Sequence, residues 1–550
     1  MVAAAPPLNP AQALTPEDLL SRGYFPDRLI PPVNSLTLAA AIPEIIGFIH
    51  PTMGQMIAKK KTKYRSQCVT HSVPKRKHLR RSLSIPNPLH QSMLAVEIAT
   101  HWDELRDFCS RSPLALSSPT LSRTRALSPR EDLGRQPFHR AQRSIGARYL
   151  LKSDIARFYP SIYTHSIGWA IHGKAAARND KKFGLLGNRL DLWVRETQDK
   201  QTGGIPIGPD TSFLLGELVG SAIDIALQAK IRNIRGTRSN DDYFLYFDTV
   251  SEAENALAVL HGATRDFELE VNDPKTEIVL MPDTLEPAWK ADLRSFSIRP
   301  SGQAQATDLV SLFDKAFTHA RQFPSDSVLT YVAKQVLSAD ITEENWKLCE
   351  SLLLRAAIGE PTMLSVLEDI YDVHAPEPKD IGPLSETLYS LCSYHAPLQQ
   401  GNEVAWSLWL ARKRGIQIPR LIAEKIAGVD DDIVALTALD LRDQCLLDCI
   451  DCPLWEGYAS AANLYENHWL LAYEGHEHGW LINKRAGDYV GNDAFFSILK
   501  ANGVRFYGGG LVDTSSYFSY LDDEEPNKDV EAEVDEGDFP DNELSDEITI

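Results

Sequence analysis

The chain has 550 residues, 43% of them hydrophobic, which is enough for two or three domains with their own cores. The net charge is −19, but the stretch from Asp522 to Glu547 holds fourteen acidic residues against the single base Lys528 and carries −13 of that total. Seven cysteines at this length exclude a disulfide framework, no apolar run reads as a membrane span, and the Ala/Pro-rich start lacks the plan of a secretion signal; a cytoplasmic location is expected.

A Pro-rich leader is expected over residues 1–45, containing Gly23-Tyr24-Phe25-Pro26 and Pro31-Pro32. Residues 46–285 mix helical and strand patterns. Near their start, Lys59 to Arg81 holds ten Lys and Arg and no acid, and Arg123 to Arg148 is a second acid-poor stretch. Local patches of this kind, rather than total charge, decide phosphate binding, although charge alone fits a basic loop as well. Pro86 to Leu105 predicts a helix, with Leu94, Ile98, Trp102 and Leu105 at helical spacing. Tyr149-Leu150-Leu151 predicts a strand running into Asp154, Ser212 to Ile231 a long helix, and Tyr243 to Phe247 a second strand.

Over residues 286–520 the pattern becomes helical throughout, in Leu309–Phe323, Val328–Leu337, Trp346–Ile358, Met363–Ile370, Val404–Ala411 and Ile433–Leu447. No fixed-period repeat is present. Residues 521–550 read as an acidic, disordered tail. The expected class is therefore α+β, a mixed domain followed by an all-α domain.

Four pieces carry chemistry. In the first, Asp154 ends a strand and is followed by Phe158-Tyr159. In the second, Gly204, Pro206 and Gly208 make a turn ahead of a helix capped near Thr211 or Ser212. The third is Asp241-Asp242, two acids in a turn entering a strand. The fourth is Asn272-Asp273-Pro274-Lys275, which offers a lysine to phosphate charge. If Asp154 meets Asp241, the carboxylates form a pocket for hard divalent cations, and two such ions can support phosphoryl transfer. Alone, each piece is also an ordinary surface turn.

In this order and at these separations the pieces resemble the palm of reverse transcriptases. The resemblance implies that Asp154, Asp241 and Asp242 are catalytic, and that Asp154, Ile155 and Asp241 bind magnesium, with manganese as an alternative. It implies that Ile155, Tyr159, Gly204, Pro206, Ser212, Lys275 and Arg81 contact the nucleotide. Tyr159 would exclude a 2′-hydroxyl, Asn272 belongs with Lys275, and Arg81, with Arg80 as its neighbouring candidate, lies on the fingers strand Arg81-Ser82-Leu83-Ser84-Ile85-Pro86. The phrases Gly23-Tyr24-Phe25-Pro26, Ile85-Pro86-Asn87-Pro88, Phe158-Tyr159-Pro160-Ser161-Ile162-Tyr163-Thr164-His165-Ser166 and Gly208-Pro209-Asp210-Thr211-Ser212 are similar to bacterial defence-associated, abortive-infection-type reverse transcriptases. That group implies a helical domain in place of the thumb, polymerisation of dNTPs into DNA in antiphage defence, and partners among RNA templates, noncoding RNA, partner polymerases or further copies of the chain, with no membrane. Some of its members dispense with an ordinary template or prime from protein.

Two positions depart from the pattern. Ser239 stands where the family has an aromatic two residues before the first acid, and Ile207 where it has a glutamine. These leave open a template-independent, terminal-transferase-like activity; a catalytically idle scaffold is a separate alternative. The spacing of Cys445, Cys449 and Cys452 is read as a buried helix face rather than a cluster ligand set, and His476 and His478 as a surface turn. Tyr517 and Tyr520 are hydroxyls near the tail that nothing else singles out as primers.

Overall fold

The computed structural model describes residues 13–59, 65–76, 79–376, 380–448, 451–481 and 487–508. The acidic tail, Tyr517, Tyr520, Cys449 and the basic residues Lys60, Lys61, Lys63 and Lys77 lie outside the described residues.

Strands β1 (Val69–Arg76) and β2 (Leu79–Ile85) pair as an antiparallel hairpin, as do β3 (Pro119–Leu121) and β4 (Leu127–Pro129). The central sheet holds β5 (Tyr149–Asp154), β6 (Arg235–Ser239), β7 (Asp242–Phe247) and β8 (Glu277–Leu280), antiparallel in the order β6-β7-β5-β8. Side chains alternate across it. Leu151, Tyr243 and Leu245 point to one face and are buried. Helices Asp210–Lys230 and Val250–Asp266 pack together behind the sheet. Each such apolar side chain contributes about 2 kcal/mol by leaving water. The opposite face carries the register pairs Lys152↔Phe244 and Asp154↔Asp242.

The all-α region runs from Ala288–Arg294 to Phe496–Ala501. Its helices are amphipathic; Val328–Leu337, for example, buries Val328, Leu329, Val332, Ala333 and Val336. Helix Gly401–Arg414 packs against Gly382–His395, against Asp432–Asp443 and against β1. Polar links fix the last of these contacts. Arg80 makes a two-pronged ion pair with the buried Glu403, one prong at 2.7 Å. The ring Nδ1 of His71 donates to Asp431 Oδ2 at 2.8 Å, while the other oxygen of Asp431 caps the helix from Ile433 and Val434. Trp469 Nε1 donates to the carbonyl of Ile85 at 3.1 Å.

Several expectations need correction. The predicted helix at 86–105 is two helices, Pro88–Thr100 and Trp102–Cys109, separated at His101. The leader already enters helix Ile42–Lys59 before residue 45, and it is built into the core: Tyr24 and Phe25 are buried and Phe25 stacks on Phe506 at 5.5 Å. The helix predicted through Leu447 stops at Asp443, and Cys445 lies beyond it, exposed and in the left-handed region at φ 58°, so Cys445 is not part of a buried helix face. His476 belongs to helix Trp469–Glu477 rather than to a turn, while His478 follows it in an exposed turn, as expected, stacked on Trp480 at 4.1 Å. Two segments, Leu36–Ala58 and Asp210–Lys230, are long and apolar enough to cross a membrane, contrary to the reading of the sequence. The second owes its composition to its place in the core.

Candidate active site

The β6–β7 hairpin turns through Asn240 and Asp241, with Asn240 at φ 51°. This places the two acids at the strand entrance, as their adjacency requires. Asp154, the last residue of β5, pairs in register with Asp242. The Ile155 amide donates to the carbonyl of Asp241 at 3.1 Å. Asp154 is buried, Asp241 half-buried and Asp242 exposed. The three acids, distant in sequence, thus meet at one end of the sheet.

Their charges act on one another. Burial, then Asp242, then Asp154, push Asp241 up to about 6. The second oxygen of Asp154 is held by the Lys275 ammonium and the first accepts from Asn272 Nδ2 at 3.0 Å. The Asn272 amide donates to the Asp154 carbonyl at 2.7 Å, which fixes this loop against β5. In this arrangement the Lys275 ammonium neutralises the Asp154 carboxylate. Among the described residues, no three acidic, histidine or cysteine side chains stand ready as a cation cluster. The carboxylates nevertheless suit divalent cations by two observations. One is the unfavourable negative charge on Asp241; the other is an ammonium standing where cationic charge is needed at Asp154. Entry of a metal would require Lys275 to give way.

The protonated form of Asp241 is the one the fold favours. Its stabilising contribution is complete below the ordinary carboxylate range near pH 4 and is lost as pH rises through about 6. Without divalent ions, wild type should therefore lose melting temperature relative to Asp241→Asn over this window. Magnesium should reverse the loss above it, since proton and metal compete for one carboxylate. Thermal unfolding in chelator and in magnesium, across pH, measures this; a wild-type-minus-variant difference that ignores both pH and metal would contradict it.

The second sequence piece locks onto the first. Ile205 N donates to the Tyr159 carbonyl at 3.0 Å and Gly204 N to that of Ile162 at 2.9 Å. Gly204 sits at φ 80°, strained for any other residue, and an added Cβ would stand a tight 3.0 Å from the Pro160 carbonyl oxygen. Tyr159 lies over Gly216 of the long helix, and burial raises its hydroxyl above the usual range, with Glu217 and Asp241 adding to the effect. Pro206 is buried in the loop. Ser212 is buried in the first helical turn rather than at the cap, which is Pro209. The side chain of Ile155 is in the core, so only its backbone can reach a ligand.

The two arginine candidates separate clearly. Arg80 is consumed by Glu403 and by Ser72. Arg81 is half-buried, feels the charges of Asp241 and Tyr159, and has no hydrogen-bond or ion-pair partner among the described residues. Of the departures, Ser239 accepts a hydrogen bond from Gln136 Nε2 at 2.8 Å, and Ile207 packs against the core while its carbonyl accepts from Ser84 N at 2.8 Å.

A buried network behind the acidic turn escaped the sequence reading. Arg238 has no exposed surface; it pairs with Glu217 at 2.9 Å and Asp224 at 2.7 Å and donates to the Asn240 carbonyl at 2.8 Å. Ser117 Oγ accepts from Asn240 N and donates to Glu217. Tyr243 donates to Asp224 at 2.9 Å. The sequence signal was two acids, Glu217 and Asp224, seven residues apart in the largely apolar middle of the long helix.

No family model matches the chain, and no curated protein matches it. Solved structures do. Apo telomerase from Candida tropicalis matches at 10% identity and TM-score 0.31, over 70% of this chain and 68% of that one. Telomerase from Candida albicans in complex with a TWJ fragment of telomeric RNA matches at 11% identity and TM-score 0.28, over 69% of this chain and 62% of that one.

Proposed function

We propose that this chain is a reverse-transcriptase-type nucleotidyltransferase that joins deoxynucleotides into DNA. The observation that carries the reading is the meeting of Asp154, Asp241 and Asp242 at one sheet end, with Arg81 and Tyr159 close enough to sense Asp241. Asp154 and Asp241, with Asp242 assisting, would hold divalent ions, magnesium or manganese; when bound, these supply the positive charge that phosphoryl transfer requires. In the reaction a hydroxyl oxygen bonds to the α-phosphorus of a dNTP, the bond to the bridging oxygen of the β-phosphate breaks, and pyrophosphate leaves. Arg81 neutralises phosphate charge, Tyr159 stands against a 2′-hydroxyl, and the Gly204–Pro206 loop shapes the nucleotide pocket. We place the activity in bacterial antiphage defence, on the motif resemblance alone.

A second reading, synthesis without a nucleic-acid template, is favoured by Ser239 and Ile207. One hydroxyl is taken by Gln136, and the other side chain is apolar and core-facing, so neither offers the usual support to primer or template. Purified, nuclease-treated protein incubated with single dNTPs and magnesium tests both. Polymer that appears only when RNA is restored supports templated synthesis and ends the second reading. Polymer from a single dNTP supports the second reading, and absence of any product under either condition refutes the assignment.

A further inference from the structure

Tyr163 and His165 follow the first sequence piece, yet neither takes part in the acidic turn. They line a cavity of about 710 Å³ bordered by helices His165–His172, Lys174–Asn179 and Leu186–Glu196. Its wall is continuous with the second piece: Tyr163 bridges to Gly203, and Thr164 N donates to the Thr202 carbonyl at 2.9 Å. Among the described residues, none from the acidic turn, the β1–β2 hairpin or the leader lines it.

The carboxylates of this cavity are already engaged. Asp191 is buried; one oxygen accepts from His165 Nδ1 at 2.7 Å and the other from Arg195 Nε at 3.0 Å. Asp180 accepts from the amides of Gly184 at 3.0 Å and Leu185 at 2.8 Å, and Glu268 pairs with Lys174 at 3.4 Å. The cations are less committed. Arg178 and Lys181 are exposed and have no carboxylate partner among the described residues, and Arg195 uses only its Nε. The cavity therefore favours an anion, and its guanidiniums suit the paired oxygens of a phosphate.

Much of the remaining wall is aromatic. Tyr163 stands edge-on to His165 at 4.9 Å and to Trp169 at 5.5 Å, and its hydroxyl has no hydrogen-bond partner among the described residues. Lys174 covers Trp169 at 4.1 Å, which leaves Tyr163 and Phe183 as the rings a ligand can meet. Phe183 is half-buried in the left-handed region at φ 54°, and the amides on both sides of it, Lys182 and Gly184, donate to Asp180. A bulky residue keeps that conformation only where its surroundings impose it. Because His165 Nδ1 donates to Asp191, Nε2 of the neutral ring is an acceptor, suited to a hydroxyl or amino hydrogen. A phosphate, a flat ring to stack and such hydrogens occur together in a nucleotide.

We propose that this cavity is a second nucleotide site, which takes one nucleoside monophosphate unit, either a free nucleotide or a unit of a single strand. The base lies against Tyr163 and Phe183, and the phosphate among Arg178, Lys181 and Arg195. Through the Tyr163–Gly203 bridge the occupant borders the loop that leads into Gly204. Binding here needs neither the aspartates nor a divalent ion, so the site stands apart from the nucleotidyltransferase reading.

Titration of the full chain in chelator tests it, with adenosine monophosphate and with a short oligoadenylate bearing a 3′ fluorophore. Tyr163→Ala is expected to raise the Kd of the bound probe about tenfold, as loss of one stacked base does. In wild type the abasic counterpart of that probe should bind about tenfold more weakly, a comparison that needs no variant to fold. Arg178→Ala combined with Lys181→Ala should also raise the Kd about tenfold. For the oligoadenylate it should flatten the salt dependence by about 0.7 for each phosphate contact removed. Both residues are exposed, so the melting temperature of the double variant should not move. Asp241→Asn should bind within about twofold of wild type. Oligoadenylate that adenosine monophosphate does not displace identifies a strand as the source, and displacement identifies the free nucleotide. Wild type that binds neither probe overturns the proposal, as does a double variant that binds like wild type. Equal binding of a probe and its abasic counterpart reduces the cavity to a bare anion site and overturns it too. Loss of binding in Asp241→Asn would place the probe at the aspartates instead and end the second site alone.

Discussion

Asp241→Asn is expected to abolish nucleotide transfer while making the metal-free protein more stable at neutral pH. The substitution keeps the shape of the side chain and removes its charge. Asp241 is pressed by burial and by two neighbouring carboxylates, so its ionised form is unfavourable until a cation arrives. Losing that charge should cost roughly a thousandfold or more in rate, since phosphoryl transfer depends almost entirely on positioning and charge stabilisation. Thermal unfolding in chelator should show the variant melting above wild type near pH 8. Asp242 is exposed, so Asp242→Asn should change metal-free stability less. A transfer rate in Asp241→Asn close to that of wild type would remove this carboxylate from the chemistry.

The largest loss of stability is expected from Arg238→Met. This guanidinium is fully buried and shared between Glu217 and Asp224. Removing it leaves two carboxylates in the core without compensation, at a cost of about 3–5 kcal/mol. Gly220 is part of the arrangement: an added Cβ there would stand 2.8 Å from the guanidinium, so the helix is pared back to admit it. Urea unfolding measures the cost, and the triple variant Arg238→Met, Glu217→Gln, Asp224→Asn should recover part of it by removing the stranded charges. Arg238 also braces the Asn240 carbonyl, so milder variants such as Arg238→Lys should lower activity more than stability explains. Unfolding midpoints that coincide for wild type and Arg238→Met would show that the network carries no load.

What could be read in advance followed from local pattern. The apolar run before Asp154, the aromatic strand after Asp242 and the long helix after Gly208 each declare themselves within a few residues, and β5, β7 and helix Asp210–Lys230 lie there. The register Asp154↔Asp242 was not legible, because pairing between distant strands depends on the whole sheet. Nothing in the sequence singles out Arg238; only the fold shows that Glu217 and Asp224 reach it from a helix. The helix running to Leu447 was over-extended because Leu446 and Leu447 continue the apolar spacing, while Cys445 leaves the helical region in a way that spacing does not reveal. The leader was read by its prolines and not by Tyr24 and Phe25, whose partner Phe506 lies at the far end of the described chain.

The anchoring of β1 and β2 to the all-α region, through Arg80–Glu403, His71–Asp431 and Trp469–Ile85, has a mechanical consequence. The strand that presents Arg81 cannot pivot as a free flap. Any tilt of it drags helices Gly401–Arg414 and Asp432–Asp443 along, so the hairpin and these helices shift as one body.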